Sequence, residues 1–197
     1  MIKFSAFADE VTADFKGQVE FLAAQNIRNI EIRFVNQKNV MDLSVSELKE
    51  TKMLLNSHSI GVSAIGSPIG KVKIDEDFKS HFERFKHAVE LANYFESPFI
   101  RVFSYYAPEG QLIDDYRDEV IERMTRKADY LAGTGLIMVH ENESHIFGHS
   151  AKNCVDIVKS VASSNLKLAY DPANFVWGDN IDNNVEVCWP LMKEHTA

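Results

Sequence analysis

The sequence predicts an α/β fold built on a parallel sheet, and three observations predict it. Six short runs rich in apolar and β-branched residues recur along the chain. Each is followed by a longer segment of helical period. Successive runs start roughly 30 residues apart, about the step of one βαβ repeat. Parallel neighbours can be joined only by a crossover connection, so this alternation implies parallel pairing.

The predicted strands are residues 2–7 (IKFSAF), 29–33 (NIEIR), 61–65 (GVSAI), 99–103 (FIRVF), 136–139 (LIMV) and 166–170 (LKLAY). Between them, Ser44 and Glu47 have the spacing of a capping box that opens a helix running through Leu55. Phe78, Phe82, Phe85, Val89 and Ala92 step by four and three along one helix face. Val120, Met124, Ala128 and Leu131 do the same in the next unit, and Ser150 precedes the periodic set Cys154, Ile157, Val158 and Val161.

With 197 residues, 45% of them hydrophobic, the chain can bury one substantial core. No Pro-, Gly- or Ser-rich linker divides it, so residues 1–197 are expected to form a single domain. A net charge of −8 repels phosphate backbones and argues against a nucleic-acid partner. The densest basic stretch, RMTRK at 123–127, lies beside Asp118, Glu119 and Glu122 and reads as a solvated helix face. Cys154 and Cys188 lack metal or redox spacing and read as reduced, buried side chains. No apolar run approaches membrane-spanning length, and the N-terminus lacks a signal-like segment, so a cytoplasmic protein with no membrane partner is expected.

Two parallel architectures compete. A doubly wound nucleotide-binding sheet wants a glycine-rich turn after its first strand, and FADEV provides none. A (β/α)8 barrel runs to about 250 residues, of which six units would be about three quarters. The closing stretch CWPLMKEHTA reads as helix, with no seventh strand behind it. The sheet is therefore either open or a barrel lacking its last two units.

Both architectures place their sites at the carboxyl ends of the strands. There the sequence puts Asp9 and Glu10, Glu31 and Arg33, the GSPIGK segment ending in Lys71, Arg101 with SYY at 104–106, HENE at 140–143 and YDPAN at 170–174. A rim of carboxylates, Arg and Asn suits a small polar ligand with a hard divalent cation. The HENE segment is not the zinc-protease HExxH, because His145 falls one residue too late and the run before it is strand-like. On an extended chain Glu141 and Glu143 share one face, and His140 and Asn142 the other. Pro172 restricts Asp171 to extended backbone and fixes a carboxylate at the tip of the sixth strand. Neighbouring parallel strands lie about 4.8 Å apart, which makes Glu141 and Asp171 the best metal pair.

At these residues the chain resembles the sugar phosphate isomerase/epimerase family, the xylose isomerase-like TIM barrels that include an endonuclease IV branch. VHENE resembles the family's Leu-Glu-Asn-His type ending of the fifth strand, with Glu141 and Asn142 in register. DPAN resembles the Asp-x-x-Asn ending of the sixth, with Asp171 and Asn174. The resemblance implies a (β/α)8 TIM barrel with about six βα units present, strands seven and eight being missing. It implies a divalent ion (Mn, Mg, Co or Zn) held by a Glu, an Asp, a His and a second Glu; Glu141 and Asp171 match the first two, and the other two have no counterpart.

The implied activity is isomerisation or epimerisation of a sugar or sugar phosphate through an enediolate, with Glu141 as ligand and proton-transfer group. Glu31, Arg33, Lys71, Arg101 and Asn174 are then candidate substrate contacts. Three alternatives stand beside this reading. Arg101 and Glu31 read equally well as an ion pair, and His140 as a packed residue. The activity could be an endonuclease IV-like phosphodiesterase, for which the acidic chain lacks the His ligands and the basic face. The chain could also be a non-catalytic fragment, whose exposed strand edges predict association, homo-oligomers included.

Overall fold

A computed structural model describes residues 2–197. They pack as two compact units, one of residues 2–67 and 86–100, the other of residues 68–85 and 101–197.

The first unit holds α1 (Phe15–Ala24), β1 (Asn29–Ile32), the short strands β2 (Phe34–Val35) and β3 (Lys38–Asn39), α2 (Val45–Ser57) and β4 (Gly61–Ile65). It also takes the C-terminal part of α3 (Phe78–Phe95) and the start of β5 (Phe99–Val102). Its strands run β1-β4-β5, all parallel, with Ile30 beside Val62 and Ile65 beside Ile100. The α2 helix opens on the predicted box: Ser44 accepts from the Glu47 amide, and the Glu47 carboxylate accepts from the Ser44 amide at 2.6 Å.

Two expectations change here. Residues 2–7 do not form a strand: Ala6 makes a single parallel bridge to Ile30, and Ile2 and Phe4 are 85% and 73% exposed. A ladder needs consecutive pairings, and one bridge does not supply them. The β2–β3 hairpin was not predicted. Asn36 and Gln37 both take positive φ, 50° and 65°, the backbone of a type I′ turn. Gln in the second position, where Gly is usual, hides that turn from the sequence.

The second unit holds the rest of β5, α4 (Arg117–Tyr130), β6 (Ile137–Glu141), α5 (Ala151–Val161), β7 (Leu166–Ala169), α6 (Pro172–Asp179), α7 (Asn184–Val187) and α8 (Trp189–Met192). Its strands run β5-β6-β7, and β6 and β7 are parallel with Glu141 opposite Ala169. Thr196 forms a single parallel bridge to Leu168, and the Leu168 amide donates to the His195 carbonyl, but no further strand follows α8 among the described residues, in keeping with the reading of that stretch. Cys154 and Cys188 form no disulfide and both are buried, as expected.

The 123–127 stretch is corrected more sharply. Arg126 faces solvent, but Arg123 is 8% exposed and Lys127 is fully buried. Lys127 stands three residues after Met124 and four before Leu131, inside the apolar stripe of α4. No helix among the described residues is long and apolar enough to cross a membrane.

Candidate active site

The second unit brings Glu141 and Asp171 to the carboxyl ends of adjacent parallel strands. Glu141 is the last residue of β6, and its strand partner Ala169 stands two residues before Asp171. Asp171 is extended (φ −104°, ψ 102°) and caps α6, its Oδ1 accepting from the Ala173 and Asn174 amides at 2.8 and 3.2 Å, with Pro172 opening the helix.

Asn142 locks the two strand ends together. Its Oδ1 accepts from the Asp171 amide and its Nδ2 donates to the Asp171 carbonyl, each at 2.8 Å. Asn174 Nδ2 donates to the Asn142 carbonyl, also at 2.8 Å. The side chain of Asn142 thus pairs with the backbone of Asp171 as a neighbouring strand would. Sequence reasoning missed this role, which depends on the β6–β7 register.

Glu141 is 9% exposed, and Arg101 of β5 donates to its Oε2 at 3.2 Å. Burial raises the Glu141 carboxyl above its usual range; Arg101 opposes that rise, and the Asp171 carboxylate adds to it. Glu143, on the same side of the chain, accepts from Lys71 at 2.8 Å. Burial pushes Glu143 upward, but the hydrogen bond and charge of Lys71 together with the hydrogen bonds from Ser144 outweigh it and leave the carboxyl below its ordinary value. Both cations rest on Phe103: Lys71 Nζ lies 4.3 Å from the ring centroid, and the Arg101 guanidinium 5.1 Å. Next to this row a cavity of about 530 Å³ is walled by Tyr106, Asp114, His145 and His149.

Glu141, Asp171, Arg101, Lys71 and Asn174 therefore gather in one unit. Glu31 and Arg33 belong to the other. There Arg33 donates to Asp9 at 2.9 Å and to Glu10 at 3.2 Å, and the Glu31 amide donates to the Ala6 carbonyl. His140 faces away from Glu141, fully buried, with Nε2 2.9 Å from Ser104 Oγ.

The donor set bears on a metal ion. Glu141 and Asp171 are hard oxygen donors that repel each other when ionised, and a divalent cation between them would relieve that repulsion. They fit such an ion as two of its ligands. Among the described residues no group of three His, Cys, Asp or Glu is placed to share one.

The profile of the xylose isomerase-like TIM barrels matches residues 19–194. The chain belongs to this family. No curated protein matches it by sequence. Solved structures of similar fold include the probable 3-DHS dehydratase AsbF of Bacillus anthracis, at 16% identity over 99% of this chain and 71% of that one, TM-score 0.78. A xylose isomerase-like TIM barrel protein of Mycobacterium smegmatis in complex with magnesium has 14% identity over 98% and 72%, TM-score 0.79. The D-psicose 3-epimerase of Clostridium cellulolyticum H10, solved with D-tagatose, has 15% identity over 98% and 67%, TM-score 0.71. At these identities the likeness establishes the fold, the parallel (β/α)8 architecture, of which this xylose isomerase-like chain spans about 70% of the first neighbours' lengths.

Proposed function

We propose that Glu141 and Asp171 are the carboxylate pair of a metal-assisted isomerase or epimerase acting on a sugar or sugar phosphate. The observation that carries this reading is a desolvated Glu141 carboxyl beside Asp171 at the ends of adjacent parallel strands, with Arg101 hydrogen-bonded to it. Membership of a family whose solved neighbours include sugar epimerases supports it.

Glu141 and Asp171 would hold a divalent cation, which when bound polarises a substrate carbonyl and makes the adjacent C–H more acidic. Glu141 is suited to move that proton, because its raised affinity for protons brings it closer to the working pH. Arg101 orients the Glu141 carboxylate by its hydrogen bond. Lys71 offers an ammonium to substrate hydroxyl or phosphate oxygens when it leaves Glu143. Asn142 and Asn174 keep the two strand ends in register while the proton moves.

The test is calorimetric titration with Mn²⁺, followed by deuterium incorporation from D2O into D-fructose and D-tagatose. Wild type is expected to bind the ion, and Glu141→Gln and Asp171→Asn to lose it. Unchanged binding in both variants would remove the pair from the metal reading. Metal binding without exchange into any ketose or aldose would remove the isomerase reading.

A further inference from the structure

Behind the carboxylate row lies a group that the proposed chemistry does not use. Lys127 of α4 is fully buried, and its Nζ donates to the Tyr105 hydroxyl at 2.5 Å. Tyr105 is itself fully buried and takes φ +70°. A left-handed backbone is unusual for a bulky residue, and one that persists is held there by its surroundings.

The restraints on this turn come from two sides. Gly70, at φ +93°, packs so closely against Phe103 that a Cβ on it would sit 2.0 Å from the Phe103 carbonyl oxygen. The Phe103 amide donates to Ile69, and the Tyr105 amide to Gly70, at 2.7 and 2.9 Å. The Gly70 amide donates to His81 Nε2 at 3.1 Å, so His81 acts as a neutral acceptor. Burial first, then the charges of Lys127, Arg123 and Arg84, lower its proton affinity to a pKa of about 3, which keeps it neutral. On the other side the side chain of Tyr105 enters the layer against α4 and ends on Lys127. Between these anchors stands Phe103, whose ring carries Lys71 and Arg101.

We propose that Lys127 is a positioning residue: through Tyr105 it holds the left-handed turn that sets the Phe103 ring beneath Lys71 and Arg101. The link survives either protonation state, since a phenol accepts from an ammonium and donates to an amine. Calling this an active-site role rests on the proposed function; the geometry does not.

The experiment reads the platform directly. Protons above an aromatic ring are shielded, so the Lys71 ε-methylene of the full chain should resonate upfield of exposed lysines in a carbon–proton NMR spectrum. Phe103→Leu abolishes that shift and assigns it. Lys127→Met, which keeps the side-chain volume, is expected to lose most of the shift while retaining the folded amide spectrum. Tyr105→Phe, which removes only the hydroxyl, gives the same loss and decides the matter if Lys127→Met does not fold. A Lys71 shift unchanged from wild type in folded Lys127→Met or Tyr105→Phe would overturn the proposal. Since no metal or sugar enters the measurement, a chain that failed to bind Mn²⁺ would leave this result standing.

Discussion

Two buried layers of the second unit treat charge in opposite ways. On the side of β6 that carries Glu141, the two acids of that stretch face cations, Glu141 with Arg101 and Glu143 with Lys71. On the side that carries His140, the groups around Lys127 are Tyr105, Arg123, His81 and His140, and the acid there, Glu119, pairs with Arg123 at 2.5 Å. The first layer compensates charge with charge. The second, apart from the Glu119–Arg123 pair, sheds protons: burial lowers His81 and His140 to about 3 and Lys127 to about 7. Alternating side chains on one strand thus separate a charged face from an apolar one that holds its ionisable groups neutral.

The largest effect that would break this contrast is the pH dependence contributed by Lys127. Its amine titrates near 10.5 in the unfolded chain and near 7 when folded. Between those values the unfolded chain holds a proton that the folded chain has lost, so stability rises with pH across the window. The contribution is fully present above 10.5 and is lost as pH falls to about 7, a span of up to about 5 kcal/mol. Burial raises the Tyr105 phenol and works in the opposite sense above pH 10. Urea unfolding between pH 7 and 10 should show the rise in wild type and a flatter profile in Lys127→Met; parallel profiles would mean that Lys127 is not buried as an amine.

Removing the compensating cation from the other layer comes next. Arg101→Met leaves Glu141 desolvated beside Asp171, and stranding a buried charge costs about 3–5 kcal/mol. Burial already holds Glu141 above its normal range, so its protonated form is the one favoured by folding, and acid relieves the loss. Arg101→Met is therefore expected to be most destabilised near neutrality and to recover towards pH 4. Adding Glu141→Gln should restore most of the stability at pH 7. A double variant no more stable than Arg101→Met would show that the pair is not coupled.

The two layers were not equally legible in the sequence. Glu141 and Asp171 stand at abrupt ends of apolar runs, and Pro172 fixes local backbone, so the carboxylate row could be read from neighbouring residues. Ser44 with Glu47 worked the same way for α2. Lys127 could not be read so, because a lysine on an apolar stripe looks like a solvated charge until tertiary packing decides the direction of the side chain. Residues 2–7 failed for a related reason: their alternation suits a strand, and a strand exists only through its partners. The reciprocal bonds between Asn142 and Asp171 join residues 29 positions apart, and only the β6–β7 register reveals them.

That register supplies a third test, of intermediate size. Asn142→Asp keeps an acceptor for the Asp171 amide but sets a carboxylate oxygen against the Asp171 carbonyl. An unsatisfied buried group of this kind costs about 1–3 kcal/mol. Thermal unfolding should fall accordingly, and Mn²⁺ affinity with it. Lost stability with unchanged affinity would confine Asn142 to the scaffold.

The smallest effect belongs to the pair that resembles the second layer least. Lys71 and Glu143 keep 34% and 19% of their side chains exposed, against 8% and 12% for Arg101 and Glu141. Water screens the outer pair, and such bridges contribute about 0–1 kcal/mol. The lowered Glu143 carboxyl stabilises the fold above its unfolded value near 4.5, and that contribution disappears as pH falls through the folded value. Lys71→Met should then shift the urea midpoint at pH 7 by less than Arg101→Met does, with the difference vanishing in acid or in about 1 M salt, where screening acts within about 3 Å. A cation that contributes so little to the fold while lying on the Phe103 ring is free to exchange its carboxylate partner for a substrate oxygen. Weaker binding of a sugar phosphate by Lys71→Met at nearly unchanged stability is the expected result, and equal binding would assign Lys71 to the surface alone.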